Sequence, residues 1–282
     1  MLADLARSGG DDVTVIDRVR PDGDRAVLVG DVGAPSDRVR AALSDADIVV
    51  LAVPEAVALG AVPVVDRAMR PGALLVETLS VKTRIHRVLR DGAADRPSVG
   101  INPMFAPALG MPGRPVAAVV HRGGPAVDRF LGVVAGWGGR VVRLDAAEHD
   151  RVAAATQALT HAAVLAFGLA LADAGVGVDE LAATAPPPHT TMLALLARVG
   201  AGAPEVYHDV QAGNPDAAAA RKALAAALAR LSETVERGDE DDFAALMADA
   251  VRPLGDRLDS YRTTCAALFE QLRDPPPEGG MP

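Results

Sequence analysis

Cysteine, aromatic side chains, lysine and asparagine are all scarce in this chain of 282 residues. Its single cysteine, Cys265, excludes an intrachain disulfide framework and a thiolate zinc cluster and suits a reducing compartment, so a cytoplasmic protein is expected. Positive charge is outnumbered: 28 Lys and Arg against 37 Asp and Glu leave a net charge of −9, which argues against a nucleic-acid partner or attachment to an anionic membrane. No charged-then-apolar leader opens the chain, because residues 1–8 read as an amphipathic helix. One run, Val152–Ala172, is nearly free of charge and long enough to span a bilayer, but Gln157, His161 and two threonines within it point to the buried helix of an all-helical domain. Metal ligation has no support, since Glu148-His149 lacks the second histidine of a helical zinc motif. No Gly-x-Ser-x-Gly elbow, Cys/His pairing or solenoid repeat is found either.

What remains is a chain that is 50% hydrophobic and divides by character. The first half alternates β-branched runs with helical stretches. The runs are 13–16, 26–29, 48–53, 74–76, 98–101, 116–120 and 140–144, mostly apolar throughout and bounded by Gly, Pro or Asp. Helical spacing occupies 36–44, 56–69, 81–90 and 126–136, with Ser36 placed to cap the first of these. This βαβ series predicts an α/β fold with a Rossmann-type doubly wound parallel sheet over residues 1–146. Beyond Asp145 the β-branched runs stop, and Ala/Leu-rich helices at 147–174, 178–184, 190–200, 204–212, 215–237 and 241–272 predict an all-helical domain over 147–272. Asn214 is placed to cap the fifth, Pro253 should interrupt the last, and 273–282 reads as a disordered tail.

Open sheets of this kind bind ligands beyond the C-terminal ends of their strands. Asp17 ends the first visible strand, where a dinucleotide fold keeps a carboxylate for the ribose if that strand is the second of the fold; alternatively it is a strand-end carboxylate in a polar turn. The fold's first strand and Gly-rich turn are then missing, because Gly9-Gly10 follows a helix and reads as its stop. Ala52, Val53 and Pro54 close an apolar strand where a cofactor's ribose and nicotinamide lie, and Thr78 closes the next. Arg18 and Arg20 could favour a 2′-phosphate, but the neighbouring carboxylate would repel it, so NAD is expected over NADP. Two successive strand ends deliver Ser80, Lys82 and Asn102, a hydroxyl, an ammonium and a carboxamide, to one crevice. Each alone is a common cap, solvated charge or turn residue. On the helical side Gln157 and His161 stand i, i+4 on one face, where a ligand at the domain junction or a neighbouring helix would partner them; His149 and Asp150 are read as capping the start of that helix.

At these residues the chain resembles the prephenate/arogenate dehydrogenases of tyrosine biosynthesis. The resemblance runs from Met1 to about residue 272 and is carried by residues 46–54 (ADIVVLAVP), 76–82 (VETLSVK), 100–107 (GINPMFAP) and 148–161, with Glu148-His-Asp and Gln157-Ala-Leu-Thr-His161. It implies a Rossmann domain followed by a helical dimerisation domain, hence a homodimer acting on a small molecule. It also implies NAD-dependent oxidation of a cyclohexadiene at C4 with loss of carboxylate from C1. Ser80 would bond the C4 substituent and Lys82 would bind substrate or lend the pocket positive charge. Three departures accompany it: no Gly-rich turn, Asn102 where the family has a catalytic histidine, and no arginine in residues 213–216 (GNPD) to clamp a substrate carboxylate. A carboxamide cannot take the proton that an imidazole accepts from a C4 hydroxyl. A C4 amine, whose lone pair assists hydride departure, suffers less. The expected reaction is therefore that of the branch oxidising 4-amino-4-deoxyprephenate to 4-aminophenylpyruvate for antibiotic biosynthesis, with Ser80 and Asn102 as catalytic residues. The alternatives are an ordinary prephenate or arogenate dehydrogenase with another base, such as His161, and a non-catalytic metabolite-binding relative.

Overall fold

Short apolar runs with β-branched residues form strands, and the Ala/Leu-rich intervals between them form helices. The computed structural model describes residues 1–20, 27–92 and 95–272. In chain order the elements are α1 (Leu2–Ser8), β1 (Val15–Asp17), β2 (Val27–Val29), α2 (Asp37–Asp45), β3 (Ile48–Leu51), α3 (Glu55–Ala68), β4 (Leu74–Glu77), α4 (Thr83–Gly92), β5 (Ser98–Pro103), β6 (Pro115–Arg122), α5 (Pro125–Gly136), β7 (Arg140–Arg143) and α6 (Ala146–Ala153). There follow α7 (Leu159–Asp173), α8 (Val178–Thr184), α9 (Pro187–Gly200), α10 (Pro204–His208), α11 (Ala217–Arg237), α12 (Glu240–Val251) and α13 (Leu258–Gln271). Two π turns, Ala154–Ala158 and Asp209–Gly213, interrupt the helices. The expected tail at 273–282 and the first residue of the run at 26–29 lie outside the described residues.

The chain divides into two compact units, one of Met1–Thr156 with Glu205–Ala217, the other of Gln157–Pro204 with Ala218–Pro282. In the first, β1 pairs with β2, and five strands pair in the order β3-β4-β5-β6-β7. All pairs are parallel except β5 with β6. The expected doubly wound parallel sheet is observed with one antiparallel pair, because residues 104–114 return the chain without the crossover helix that a parallel neighbour needs. The alternation of β4 feeds both faces: Leu75 packs with Val49, Leu51 and helices α2 to α4, whereas Leu74 and Val76 pack with Val99, Ile101 and α5.

Arg96 fixes the end of α3. Buried before β5, its guanidinium donates to Asp66 Oδ1 at 2.5 Å, to the carbonyls of Asp66 (2.9 Å), Met69 (3.4 Å) and Arg70 (2.8 Å), and to that of Ala73 at 3.2 Å. These include carbonyls that a helix C-terminus leaves without intrahelical partners. Ser36 Oγ accepts from Val39 N at 3.4 Å and caps α2.

In the second unit α7 packs on α9, with Leu196 of α9 seated against Gly168, where a Cβ would lie 2.6 Å from Leu196 Cδ1 unless that side chain turned aside. The stretch Ala146–Asp173 is long and apolar enough by length and composition to cross a membrane. It is not the fully covered core helix expected from sequence: Val164 is the buried residue of α7 and Leu169 is 71% exposed. The interruption at Pro253 is a 3-10 turn, Arg252–Arg257, between α12 and α13.

Because lysine cannot reproduce the planar fork of Arg96, Arg96→Lys should lower unfolding free energy by about 1–3 kcal/mol in urea titrations, with the denaturant slope unchanged.

Candidate active site

Strand ends carry Asp17, in the two-stranded sheet, and Ala52, Val53, Pro54, Thr78, Ser80 and Asn102, at or just beyond the strands of the five-stranded one. Asp17 ends β1 with an exposed carboxylate whose Oδ1 accepts from Val19 N at 3.0 Å. Ala52, Val53 and Pro54 follow β3 directly, and Thr78 N donates to Leu51 O at 3.1 Å, so the two strand ends stay level. Ser80 is half-buried in the turn between β4 and α4, and Asn102 is buried near the end of β5.

Lys82 is fully buried, and its ammonium donates to both Glu77 oxygens at 2.8 Å and to Ile101 O at 3.1 Å. Those three bonds use its three protons. The sequence-based expectation of a substrate-binding ammonium is therefore corrected: Lys82 is the counter-ion of a carboxylate inside the sheet edge. Burial alone would push Glu77 up, but Lys82 and His121 hold it below the ordinary 4.5, so it stays ionised. Burial pushes Lys82 below its ordinary 10.5, and Glu77 opposes the shift. Glu77 reaches across the next strand because its register partner there is Gly100, where a Cβ would lie 1.8 Å from Oε1. Beyond it, His121 Nε2 meets Glu77 Oε1 at 3.0 Å and His121 Nδ1 meets His86 Nδ1 at 3.0 Å.

A second cluster is built on α6. Asp145, not His149 or Asp150, caps this helix, its Oδ1 accepting from Glu148 N at 2.7 Å. The capping role expected of His149 and Asp150 is thus wrong, because they lie in the second turn facing the interior. Asp150 Oδ1 accepts from Lys82 N and His149 Nδ1, each at 2.8 Å, and Oδ2 accepts from Thr83 N at 2.8 Å and from the Thr83 hydroxyl. The carboxylate therefore caps the start of α4 from another element. Burial pushes Asp150 up, and these hydrogen bonds outweigh it to leave the group below its ordinary 3.8. His149 Nε2 in turn stands 3.2 Å from Asn102 Nδ2. Asn214 Nδ2 donates to Asp150 O at 2.7 Å, while its Oδ1 accepts from Asp216 N at 2.8 Å ahead of α11.

Sequence reasoning assigned no role to Glu55, the first residue of α3. Its buried Oε2 accepts from Arg84 at 2.7 Å, its backbone N donates to Asp209 Oδ2 at 3.1 Å, and Oε1 has no hydrogen-bond partner among the described residues. Burial pushes its carboxyl above 4.5, Asp209 and Asp150 push the same way, and Arg84 opposes them. The available signal was an acid directly after Val53-Pro54 at a strand end. In the second unit, Gln157 falls in the π turn Ala154–Ala158 and His161 in α7; burial, then Arg198, lowers the His161 pKa. Among the described residues no group of His, Cys, Asp and Glu is arranged to hold a metal ion.

A mostly parallel sheet with helices between its strands and a buried polar cluster at its strand ends defines an open α/β protein of the kind that binds ligands at that edge. Residues 2–114 match the prephenate dehydrogenase nucleotide-binding domain and residues 145–249 the prephenate dehydrogenase dimerization domain. The chain is 55% identical, over 87% of its length and 83% of the relative's, to the 4-amino-4-deoxyprephenate dehydrogenase of Streptomyces pristinaespiralis. It is 30% identical to the T-protein of Enterobacter agglomerans over 83% of this chain and 63% of that protein. The fold is shared with Aquifex aeolicus prephenate dehydrogenase in complex with hydroxyphenyl propionate and NAD+ (TM-score 0.69, 17% identity, 89% of this chain and 92% of that one). It is also shared with Synechocystis arogenate dehydrogenase (TM-score 0.55, 21% identity, 79% and 81%). The chain belongs to the prephenate dehydrogenase family.

Lys82→Met strands Glu77 as an uncompensated buried charge and should cost about 3–5 kcal/mol in urea unfolding, whereas Glu77→Leu combined with Lys82→Met should cost less. For Glu55 the folded pKa lies above the unfolded one, so its contribution to stability is fully present below about 4.5 and lost as pH rises through the raised value. Wild-type protein should therefore lose stability relative to Glu55→Gln as pH climbs from about 4.5 to 7, read as the difference in melting temperature across that range. A gap that moves the other way contradicts the assignment.

Proposed function

We propose that this protein is an NAD-dependent oxidoreductase that oxidises and decarboxylates 4-amino-4-deoxyprephenate to 4-aminophenylpyruvate, in a route to an antibiotic. The observation that carries the reading is Asn102, a buried carboxamide at a strand end, in a chain 55% identical to a relative named for that substrate. The residues present suit part of the cofactor. Asp17 offers an exposed carboxylate to a ribose hydroxyl, and Ala52, Val53, Pro54 and Thr78 line adjoining strand ends, while a Gly-x-Gly-x-x-Gly turn is not found in the sequence. When bound, NAD supplies the hydride acceptor.

The substrate loses hydride from C4 and carbon dioxide from C1, the electrons of the C1–carboxylate bond remaining to complete the aromatic ring. A C4 amine is an ammonium at neutral pH and gives one proton to water before its lone pair assists hydride departure; the neutral amine then needs only a hydrogen-bond acceptor, whereas a hydroxyl substrate benefits from a base. In this reading Asn102 Oδ1 accepts from the amine N–H and Ser80 bonds the same substituent. The Lys82 ammonium contributes the ion pair beneath them. Assembly as a homodimer is supported by the dimerization-domain match and by apolar side chains exposed on the single chain, including Leu169, Leu228 and Met247. The lone, exposed thiol of Cys265 suits the cytoplasm.

The test is the appearance of reduced cofactor with each substrate. Wild-type protein should prefer the amino substrate. Asn102→His, which restores a proton acceptor, should raise kcat/KM for prephenate by about 100-fold, the low end of a general base's usual contribution, without improving the amino substrate. A wild-type preference for prephenate that the substitution leaves unchanged would refute the reading.

A further inference from the structure

We propose that His149 is the positioning residue for Asn102: it holds the carboxamide so that its oxygen, not its nitrogen, meets the substituent at C4 of the substrate. The inference rests on the reaction proposed above and concerns how the same site distinguishes an amine from a hydroxyl.

The argument begins at Asp150. Its two oxygens accept from Lys82 N, Thr83 N, the Thr83 hydroxyl and His149 Nδ1. An ionised carboxylate is an acceptor only, so the proton in the 2.8 Å contact with His149 belongs to Nδ1. A neutral imidazole carries one N–H, which makes Nε2 the lone-pair nitrogen. Asn102 Nδ2, at 3.2 Å from Nε2, is a donor only, and the two ends match. The amide is planar, and placing its nitrogen on His149 assigns its oxygen to the other edge. That oxygen has two lone pairs and can accept from an incoming N–H whatever else it contacts.

The alternative arrangement is chemically distinct. With a proton on His149 Nε2, the amide would turn to accept it and would present its NH2 group instead. An amine becoming an arylamine gives its lone pair to the ring, is a poor acceptor and offers N–H donors, so two donors would face one another. A hydroxyl both donates and accepts and tolerates either orientation. His149 and Asp150 therefore act on discrimination between substrates through Asn102, and both are buried, where no water replaces a lost partner.

The experiment compares wild-type protein with His149→Phe, which keeps a ring but removes the acceptor, and His149→Gln, whose amide oxygen can accept from Asn102. In His149→Phe, kcat/KM for 4-amino-4-deoxyprephenate should fall about 10-fold or more relative to that for prephenate, mainly in kcat, and His149→Gln should restore the ratio to within about three-fold. Equal losses for both substrates would mark a merely structural role and overturn the proposal. Long-range 1H–15N correlation on the wild-type protein supplies a readout that does not depend on the variants folding: His149 should be protonated at Nδ1 with a pyridine-like Nε2. Protonation at Nε2 in the neutral ring overturns the positioning role alone. Wild-type protein that oxidises neither substrate refutes the assigned reaction, and the role falls with it.

Discussion

Lys82 is tied at both ends, and the sheet edge depends on that double attachment. Its side chain neutralises Glu77 and holds Ile101 O, while its backbone N–H reaches Asp150. A buried ammonium is tolerated only when its charge and all its protons are satisfied. Glu77, Gly100 and Ile101 are therefore constrained together: the carboxylate must reach across β5, and β5 must have no side chain in its way. Asn102 follows Ile101 directly in that strand, so the anchoring of a charge at the Ile101 carbonyl also holds the backbone that carries Asn102.

From Asp150 outward the logic changes from charge to hydrogen-bond direction. One carboxylate caps α4, orients an imidazole and, through the backbone of its own residue, holds Asn214. Each partner has only one way to answer an acceptor-only group, so the orientation of an amide at a strand end follows from an aspartate on α6.

The alternation of apolar runs and helical stretches made the α/β class readable, and the change of character after Asp145 made the helical half readable. Strand ends located Ser80 and Asn102 without coordinates, because Pro, Asn and Thr stop apolar runs. The function of Lys82 was not readable. A lysine two residues past a serine at a strand end looks like a ligand donor until Glu77, five positions earlier, is seen folding back across a glycine. The antiparallel β6 was hidden because a buried antiparallel strand is as apolar as a parallel one. His149 and Asp150 were misread as caps because an His-Asp pair near a helix start fits that role locally, and only tertiary contacts with β5 and α4 show the direction they face. Glu55 drew no reading, because an acid beside a helix start is where helices ordinarily carry one.

Strand β5 alternates Ser98, Gly100 and Asn102 with Val99 and Ile101, so one face of a central strand is small or polar while the other enters the apolar core. Ser98–Gly100 pair with β4 on one side and β6 on the other, while Ile101–Pro103 pair with β6 alone and Ile101 O is held by the buried ammonium. Hydrogen exchange should therefore be slowest in the first half of β5, where both ladders must open together. Asn102 is thereby mounted on a strand held by the β6 ladder and, one residue earlier, by the buried ammonium of Lys82.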